Sequence, residues 1–373
     1  MKSITRAAAA AFALAAMLVA LGGTANASLR QRPPVFVQND NPAGNQVIAY
    51  DRAPDGRLSQ AGVYDTGGKG GVLEGSAVDH LASQGALAYD SQHGLLFAVN
   101  AGSDTVSVFG VFGDHLALRQ VIDSGGSFPV SVAVRRGIVY VLNAEGEGSI
   151  QGYAVLGDRL LRLPGSNRSL GLDPALKPRF TSTPGQVAFS PDGRRLVVTT
   201  KGNGSAIDVF RIHPFGRPSA EPVVNSLPGE VPFAVDFDNR GRLLVAEAGT
   251  NALASFTLND DGTLTKLDSV GTGQAATCWV AGAAGFFYAS NAGSASLSRF
   301  GEGLNGSLSL LGNTGTAGGT VDAAISADGR FLYVQAGAEG LVDEFEIGAG
   351  GSLSALGSVT VPSAVGGEGI VAL

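Results

Sequence analysis

The chain has 373 residues, of which 32 are acidic and 25 basic, giving a net charge of −7. This acidic balance, without a run of Lys or Arg, argues against nucleic acid and anionic membranes as partners. Glycine occurs 55 times, about twice its usual share, which favours a fold with many tight turns. The single cysteine, Cys278, excludes an internal disulfide.

Residues 1–27 have the features of a secretory signal peptide. Lys2 and Arg6 form a basic start, Ala7–Leu21 is apolar, and Ala25–Ala27 is a small-residue cleavage site. The apolar stretch is too short to span a bilayer comfortably, so a membrane anchor is the less favoured alternative. We therefore predict an exported protein, periplasmic or extracellular, whose mature chain 28–373 forms one domain.

A short unit recurs along the mature chain, and Gln186–Thr200 shows it most clearly. Two apolar strands flank the turn Ser190–Gly193, where Pro presets φ and Gly accepts a conformation that other residues avoid. The first strand of the unit recurs at Ala86–Tyr89, Ser131–Val134, Gln186–Phe189, Ala234–Phe237, Trp279–Gly282, Asp322–Ile325 and Gly369–Ala372.

An aromatic residue follows the second strand of every unit at a nearly constant distance. The seven aromatics are Tyr50, Phe109, Tyr153, Phe210, Phe256, Phe300 and Phe345. Four short strands in a unit of about 45–50 residues are typical of a β-propeller. We predict an all-β, seven-bladed propeller of four-stranded antiparallel blades, with these aromatics packed between blades.

The two ends of the chain complete the same unit. The first unit begins with its second strand, Val35–Asn39, and its missing first strand is found at Gly369–Leu373. We therefore predict that the C-terminal strand pairs into the N-terminal blade. This pairing closes the ring and removes an exposed strand edge.

Two connections are longer than the others, Gly67–Ser83 and Pro164–Thr183. Both run from a fourth strand to the next first strand, so we expect them on the face that surrounds the mouth of the central channel. Long loops on a regular scaffold are frequent sites of function.

Two residues are candidates for acid–base chemistry. His80 lies beside Asp79 in the first long loop, and an Asp-His pair can act as a general base. Glu247 ends a second strand, where a carboxylate serves as acid, base or cation ligand. The alternatives are a solvated loop histidine and a structural carboxylate.

Five further residues are candidates for ligand binding at the mouth. Arg179 and Lys201 carry the positive charge that a carboxylate or phosphate ligand requires, and Trp279 offers a stacking surface. Asp322 and Glu368 lie at or before first strands. Surface charge and core packing are the alternative roles for these residues.

The pattern F-S-P-D-G-R-x-L-x-V, together with the turn Asp260–Leu264 and the stretch G-S-L-x-x-L-G-S-V near the C-terminus, resembles the bacterial lactonase-like seven-bladed propellers. That family includes 6-phosphogluconolactonases and is related to fungal 3-carboxymuconate cyclases. The resemblance implies chemistry on small acidic lactones without metal or cofactor. The family presents an Arg and a His in a G-P-R-H element, but the equivalent stretches at Pro129, Pro184 and Pro232 have neither.

Two functions remain open on this sequence. The first is a monomeric binding module that has lost the family's catalytic set and holds a small acidic molecule or a protein partner at the channel mouth. The second is a lactone hydrolase or cycloisomerase whose site is rebuilt from His80, Glu247, Arg179 and Lys201. Neither requires a cofactor or metal.

Overall fold

The computed structural model describes residues 33–373, so the predicted signal peptide lies outside the described residues. Within this range the chain forms seven antiparallel sheets around a central channel, which confirms the seven-bladed propeller. Each blade has four strands, and blade 3 has one additional short strand. The first strands of neighbouring blades contact one another, so they form the wall of the channel.

The blades are numbered in chain order, with strands given from the channel outwards. Blade 1 contains Ile370–Ala372, Pro34–Gln38, Gln46–Arg52 and Leu58–Asp65. Blade 2 contains Leu87–Asp90, Leu95–Asn100, Thr105–Phe112 and His115–Asp123. Blade 3 contains Pro129–Arg135, Ile138–Asn143, Ser149–Leu156 and Arg159–Arg162, with Arg168–Ser169 beside its third strand.

The remaining four blades follow the same order. Blade 4 contains Gln186–Phe189, Arg195–Thr199, Ala206–Arg211 and Val223–Ser226. Blade 5 contains Pro232–Phe237, Leu243–Glu247, Ala252–Leu258 and Leu264–Gly271. Blade 6 contains Thr277–Ala283, Phe286–Asn291, Ser296–Glu302 and Leu308–Gly315. Blade 7 contains Thr320–Ile325, Phe331–Ala336, Leu341–Ile347 and Leu353–Thr360.

The C-terminal strand closes the ring as predicted. Ile370–Ala372 pairs antiparallel with Pro34–Gln38, and Val37 lies opposite Ile370. The backbone N–H of Gln38 donates to the Gly369 carbonyl at 2.9 Å. The first and last parts of the described chain therefore share one sheet, and the inner edge of blade 1 is paired.

The repeated aromatics pack between blades, as their spacing predicts. All seven are buried, with at most 2% of any side chain exposed. Two of them also donate a hydrogen bond to the preceding blade: the Tyr153 hydroxyl to Asp123 O at 2.6 Å, and the Tyr50 hydroxyl to Thr360 O at 2.8 Å. These residues therefore hold neighbouring blades together and are not a ligand platform.

Helical structure is limited to single turns in the connections. These turns are Ala101–Ser103, Arg179–Ser182, Lys201–Gly204, Pro214–Gly216 and Ala349–Gly351. No helix between residues 33 and 373 has the length and apolarity needed to cross a membrane.

Candidate functional site

The two long connections meet at one mouth of the channel, as predicted. A cavity of about 180 Å³ lies there between the loops and blades 4, 5 and 6. We call it the mouth pocket. Its walls include the loop residues Gly75–Val78, the side chains of Phe180, Phe233, Cys278 and Trp279, and Lys201.

The two loops are joined above the pocket. Lys177 forms an ion pair with Glu74, which links the second long loop to the first. Gly75 has a φ of +86°, and a Cβ at this position would lie 3.1 Å from the Phe180 ring. Glycine is therefore favoured at this point by the backbone conformation, and a larger residue would also have to displace the aromatic ring slightly.

The end of the first long connection crosses the central channel. We call Ser83–Ala86 the channel plug. On one side, Ser83 Oγ donates to Val130 O of blade 3 at 2.9 Å, and the backbone N–H of Gln84 donates to Gly185 O before blade 4 at 3.1 Å. These bonds fix the plug against blades 3 and 4.

The plug also forms hydrogen bonds to the opposite side of the ring. The Gln84 amide accepts from the Val280 N–H at 2.9 Å and donates to the Val280 carbonyl at 3.0 Å, on blade 6. The Ala86 N–H donates to Glu368 at 3.2 Å, next to blade 1. Four consecutive residues that bond to blades on both sides of the ring must lie across the channel. The plug therefore lies across the channel at this mouth.

Lys201 anchors both long connections. Its ammonium group is fully buried and donates to Ala82 O at 2.6 Å, Phe180 O at 2.7 Å and Thr183 Oγ1 at 3.0 Å. All three ammonium protons are thus used within the protein, while burial lowers the pKa of Lys201 to about 7. The predicted ligand-binding cation holds the two loops in place.

The predicted carboxylates Asp322 and Glu368 belong to a buried group beside the plug, together with Asp40 and Asp79. We call these four the channel carboxylates. Glu368 accepts from Ser83 Oγ at 2.8 Å, and its own N–H donates to Asp40 at 2.7 Å. Asp322 accepts from the N–H of Ala323 at 2.9 Å and from that of Gly85. Their bonds are therefore internal.

Burial sets the titration of this group. It raises the pKa of Asp40 to about 8, of Asp322 to about 7 and of Asp79 to about 6, and it also raises the pKa of Glu368 well above its usual value. Within residues 33–373, no three or more His, Cys, Asp or Glu side chains are arranged to hold a metal ion.

Asp79 and His80 do not form the predicted Asp-His pair. The Asp79 carboxylate accepts the backbone N–H groups of Leu81 at 2.9 Å and Ser83 at 3.0 Å, so it caps the turn into the plug. The His80 ring packs against Gly366, its Nδ1 has no partner in the described structure, and burial lowers its pKa. Adjacent residues in an irregular loop point in different directions, which the sequence could not reveal.

Glu247 and Arg179 are engaged at separate places. The Glu247 carboxylate is buried and bonds to Lys266 at 3.1 Å and to Ser269 at 3.0 Å, and burial raises its pKa. Arg179 pairs with Glu145 at 3.1 Å.

In the described chain, no hydrogen bond or ion pair joins any two of His80, Glu247, Arg179 and Lys201. These four side chains are therefore not bonded to one another, although Arg179 lies close enough to Lys201 to affect its charge.

Trp279 forms a wall of the mouth pocket and also supports the plug. Its indole N–H donates to Ser83 O at 2.5 Å, and its ring contacts Phe233 with centroids 4.9 Å apart. Only 3% of the residue is exposed. The neighbouring Cys278 thiol lines the same pocket, and burial raises its pKa to about 12, so it is a thiol and not a thiolate.

Sequence reasoning missed Gln84, Asp40 and Phe233. Gln84 follows the long loop directly, but no local pattern marks a side chain that bonds across the channel. Asp40 follows a second strand, and its φ of +51° marks a turn that the sequence does not identify. Phe233 follows a proline before a first strand and lacks the regular spacing of the interblade aromatics.

Known proteins resemble this chain in their structures, whereas sequence comparisons find no match. No family model matches the chain, and no curated protein matches it in sequence. A periplasmic gluconolactonase from Pseudomonas aeruginosa is 18% identical, with a TM-score of 0.69, over 91% of this chain and 99% of that one. A Lactobacillus plantarum protein is 20% identical, with a TM-score of 0.72, over 92% and 99%.

A third solved structure adds to this picture. A Bacteroides fragilis protein, provisionally assigned as a 6-phosphogluconolactonase, is 17% identical with a TM-score of 0.71, over 92% of this chain and 98% of that one. The similarity extends over nearly the full length of all three proteins. The chain therefore has the seven-bladed fold of the lactonase-like propellers.

Proposed function

We propose that this chain is an exported binding module that holds a small, mainly apolar ligand in the mouth pocket and does not hydrolyse lactones. The plug across the mouth carries this proposal. The plug occupies the centre of the mouth, and the polar groups around it already bond to one another. The space that remains has walls formed largely by Phe180, Phe233, Cys278 and Trp279.

The chemistry of the pocket favours an apolar ligand over an acidic one. Arg179 and Lys201, the two cations expected to receive an acidic ligand, bond to Glu145 and to loop carbonyls. Apolar burial and contact with aromatic rings are then the main sources of affinity. A cavity of about 180 Å³ limits the ligand to about one ring or a short acyl group.

The single tryptophan gives a direct test, because Trp279 is the only one in the chain and forms a pocket wall. We expect phenol, toluene or cyclohexanol to change its fluorescence in a saturable manner. Ala292→Leu fills the pocket and should abolish this change. Ala43→Leu, on an exposed turn, should leave it intact. An identical response in the filled variant would refute the proposal.

A lactone hydrolase is the alternative, supported by the names of two structural neighbours. Lactone hydrolysis at this mouth would require the two long loops to open and Arg179, Lys201 and Glu247 to leave their present partners. A panel of sugar and muconate lactones, assayed with the wild type and His80→Ala, separates the two functions. Turnover that disappears in the variant would establish the hydrolase and overturn the binding module.

A further inference from the structure

A second cavity lies on the face opposite the mouth pocket. It has a volume of about 700 Å³ and lies between the turns that join strands one and two of blades 3 and 4 and the turn that joins strands three and four of blade 4. We call it the arginine cleft, after the residues that define it: Arg135, Arg136, Arg194, Arg195 and Arg211.

The arginines of this cleft outnumber the carboxylates near them, Asp192, Asp260 and Asp261. Arg194 has a carboxylate partner, Asp192, at 3.9 Å. Within the described chain, the other four guanidinium groups form no ion pair. Elsewhere, arginines such as Arg52 and Arg242 are paired with carboxylates. Among the residues that line the cleft, five are arginines and one, Asp260, is acidic. The cleft is therefore basic in a chain whose net charge is −7.

Two of these guanidinium groups are held in position by backbone carbonyls. Arg135 donates to Pro191 O and Arg195 to Asp260 O, so both are oriented by backbone carbonyls. Arg136 and Arg211 are exposed and make no side-chain hydrogen bond to another described residue. The cleft thus combines fixed and free donors that suit a ligand with several anionic groups.

Phe215 places an exposed aromatic ring at the same cleft. Its side chain is 90% exposed, and its backbone φ is +65°. A bulky residue rarely adopts this left-handed conformation, and an exposed phenyl ring gains nothing from burial. Strained residues of this kind cluster at ligand sites. The ring can cover the apolar part of a ligand whose charged groups lie against the arginines.

We propose that the arginine cleft binds a small ligand with two or more phosphate or carboxylate groups. Arginine binds both groups in a planar, bidentate manner. A volume of about 700 Å³ is in the usual range of small-molecule sites. A long polyanion would extend from the cleft onto the rest of an acidic surface, which repels it. This site is separate from the mouth pocket and does not depend on its function.

The test uses the full chain at low ionic strength, with tripolyphosphate and citrate as the phosphate and carboxylate probes. We expect one-to-one binding by calorimetry and a rise in the melting temperature with at least one probe. Arg136→Gln with Arg211→Gln should weaken this affinity at least tenfold. The control pair Arg57→Gln with Arg330→Gln removes the same charge on blades 1 and 7 and should leave it unchanged.

A charge-preserving variant separates a specific site from diffuse attraction. Arg136→Lys with Arg211→Lys keeps both charges but loses the planar fork, so most of the affinity should be lost. No binding of either probe at millimolar concentration would overturn the proposal, as would an equal loss in the control pair. Binding of poly-glutamate without binding of either probe would overturn it in favour of an acidic protein partner.

Discussion

Replacing Gln84 with alanine tests whether the plug is held across the channel mouth as the structure indicates. The Gln84 amide makes two hydrogen bonds to Val280, at 2.9 and 3.0 Å, and Val280 is 2% exposed. A net contribution of about 0.5–1.5 kcal/mol for each bond gives a loss of about 1–3 kcal/mol. An unfolding entropy of about 2 cal/mol/K per residue over roughly 340 residues gives about 0.7 kcal/mol/K, so the melting temperature should fall by about 1.5–4 °C.

The assay is a thermal melt followed both by circular dichroism and by Trp279 fluorescence. The second signal should change already in the folded state, because the indole bonds to Ser83, next to the mutated residue. Gln60→Ala, on an exposed outer strand, is the control and should change neither signal. Equal melting temperatures and unchanged fluorescence in Gln84→Ala would refute the channel plug.

Three other predictions follow from buried groups. Because the channel carboxylates have raised pKa values, they keep protons in the folded state that the unfolded chain has lost. The stability of the protein should therefore decrease from pH 5 to pH 7. In thermal melts, Asp40→Asn should reduce this dependence on pH. Ile370→Ala, in the closing strand, should lower the free energy of unfolding in urea by about 2–5 kcal/mol. The control Val365→Ala, at an exposed position, should lower it by less than about 0.5 kcal/mol. Equal losses in the two variants would contradict the ring closure. Cys278 is half-buried and burial raises its pKa to about 12, so a thiol reagent should label the folded protein slowly at pH 7 and the denatured protein rapidly; equal rates would contradict the raised pKa.

The fold was predictable because the same local pattern is repeated seven times. Each unit encodes its own strands, turns and interblade aromatic, so an error in one unit is corrected by the others. Ring closure followed from the same count, since Val35–Asn39 lacks a first strand and Gly369–Leu373 supplies one. These features depend on strand alternation and turn chemistry, which act over a few residues.

The candidate site was predictable in position but not in geometry. The length of two connections indicated the correct face of the ring, where both loops border the mouth pocket. The sequence also identified Lys201, Glu368 and Trp279 as residues of this region. It could not indicate that each of them already has partners within the protein, because those partners lie in the first long connection, far away in sequence.

The sequence by itself thus determined the number of blades, their closure and the location of the irregular loops. Only the tertiary structure decided that Gln84 bonds across the ring and that five arginines from two blades meet in one cleft. The physical reason is that strand pairing within a blade follows a local period, whereas contacts across the channel join residues nearly two hundred positions apart. No periodic pattern records such contacts, because each occurs once.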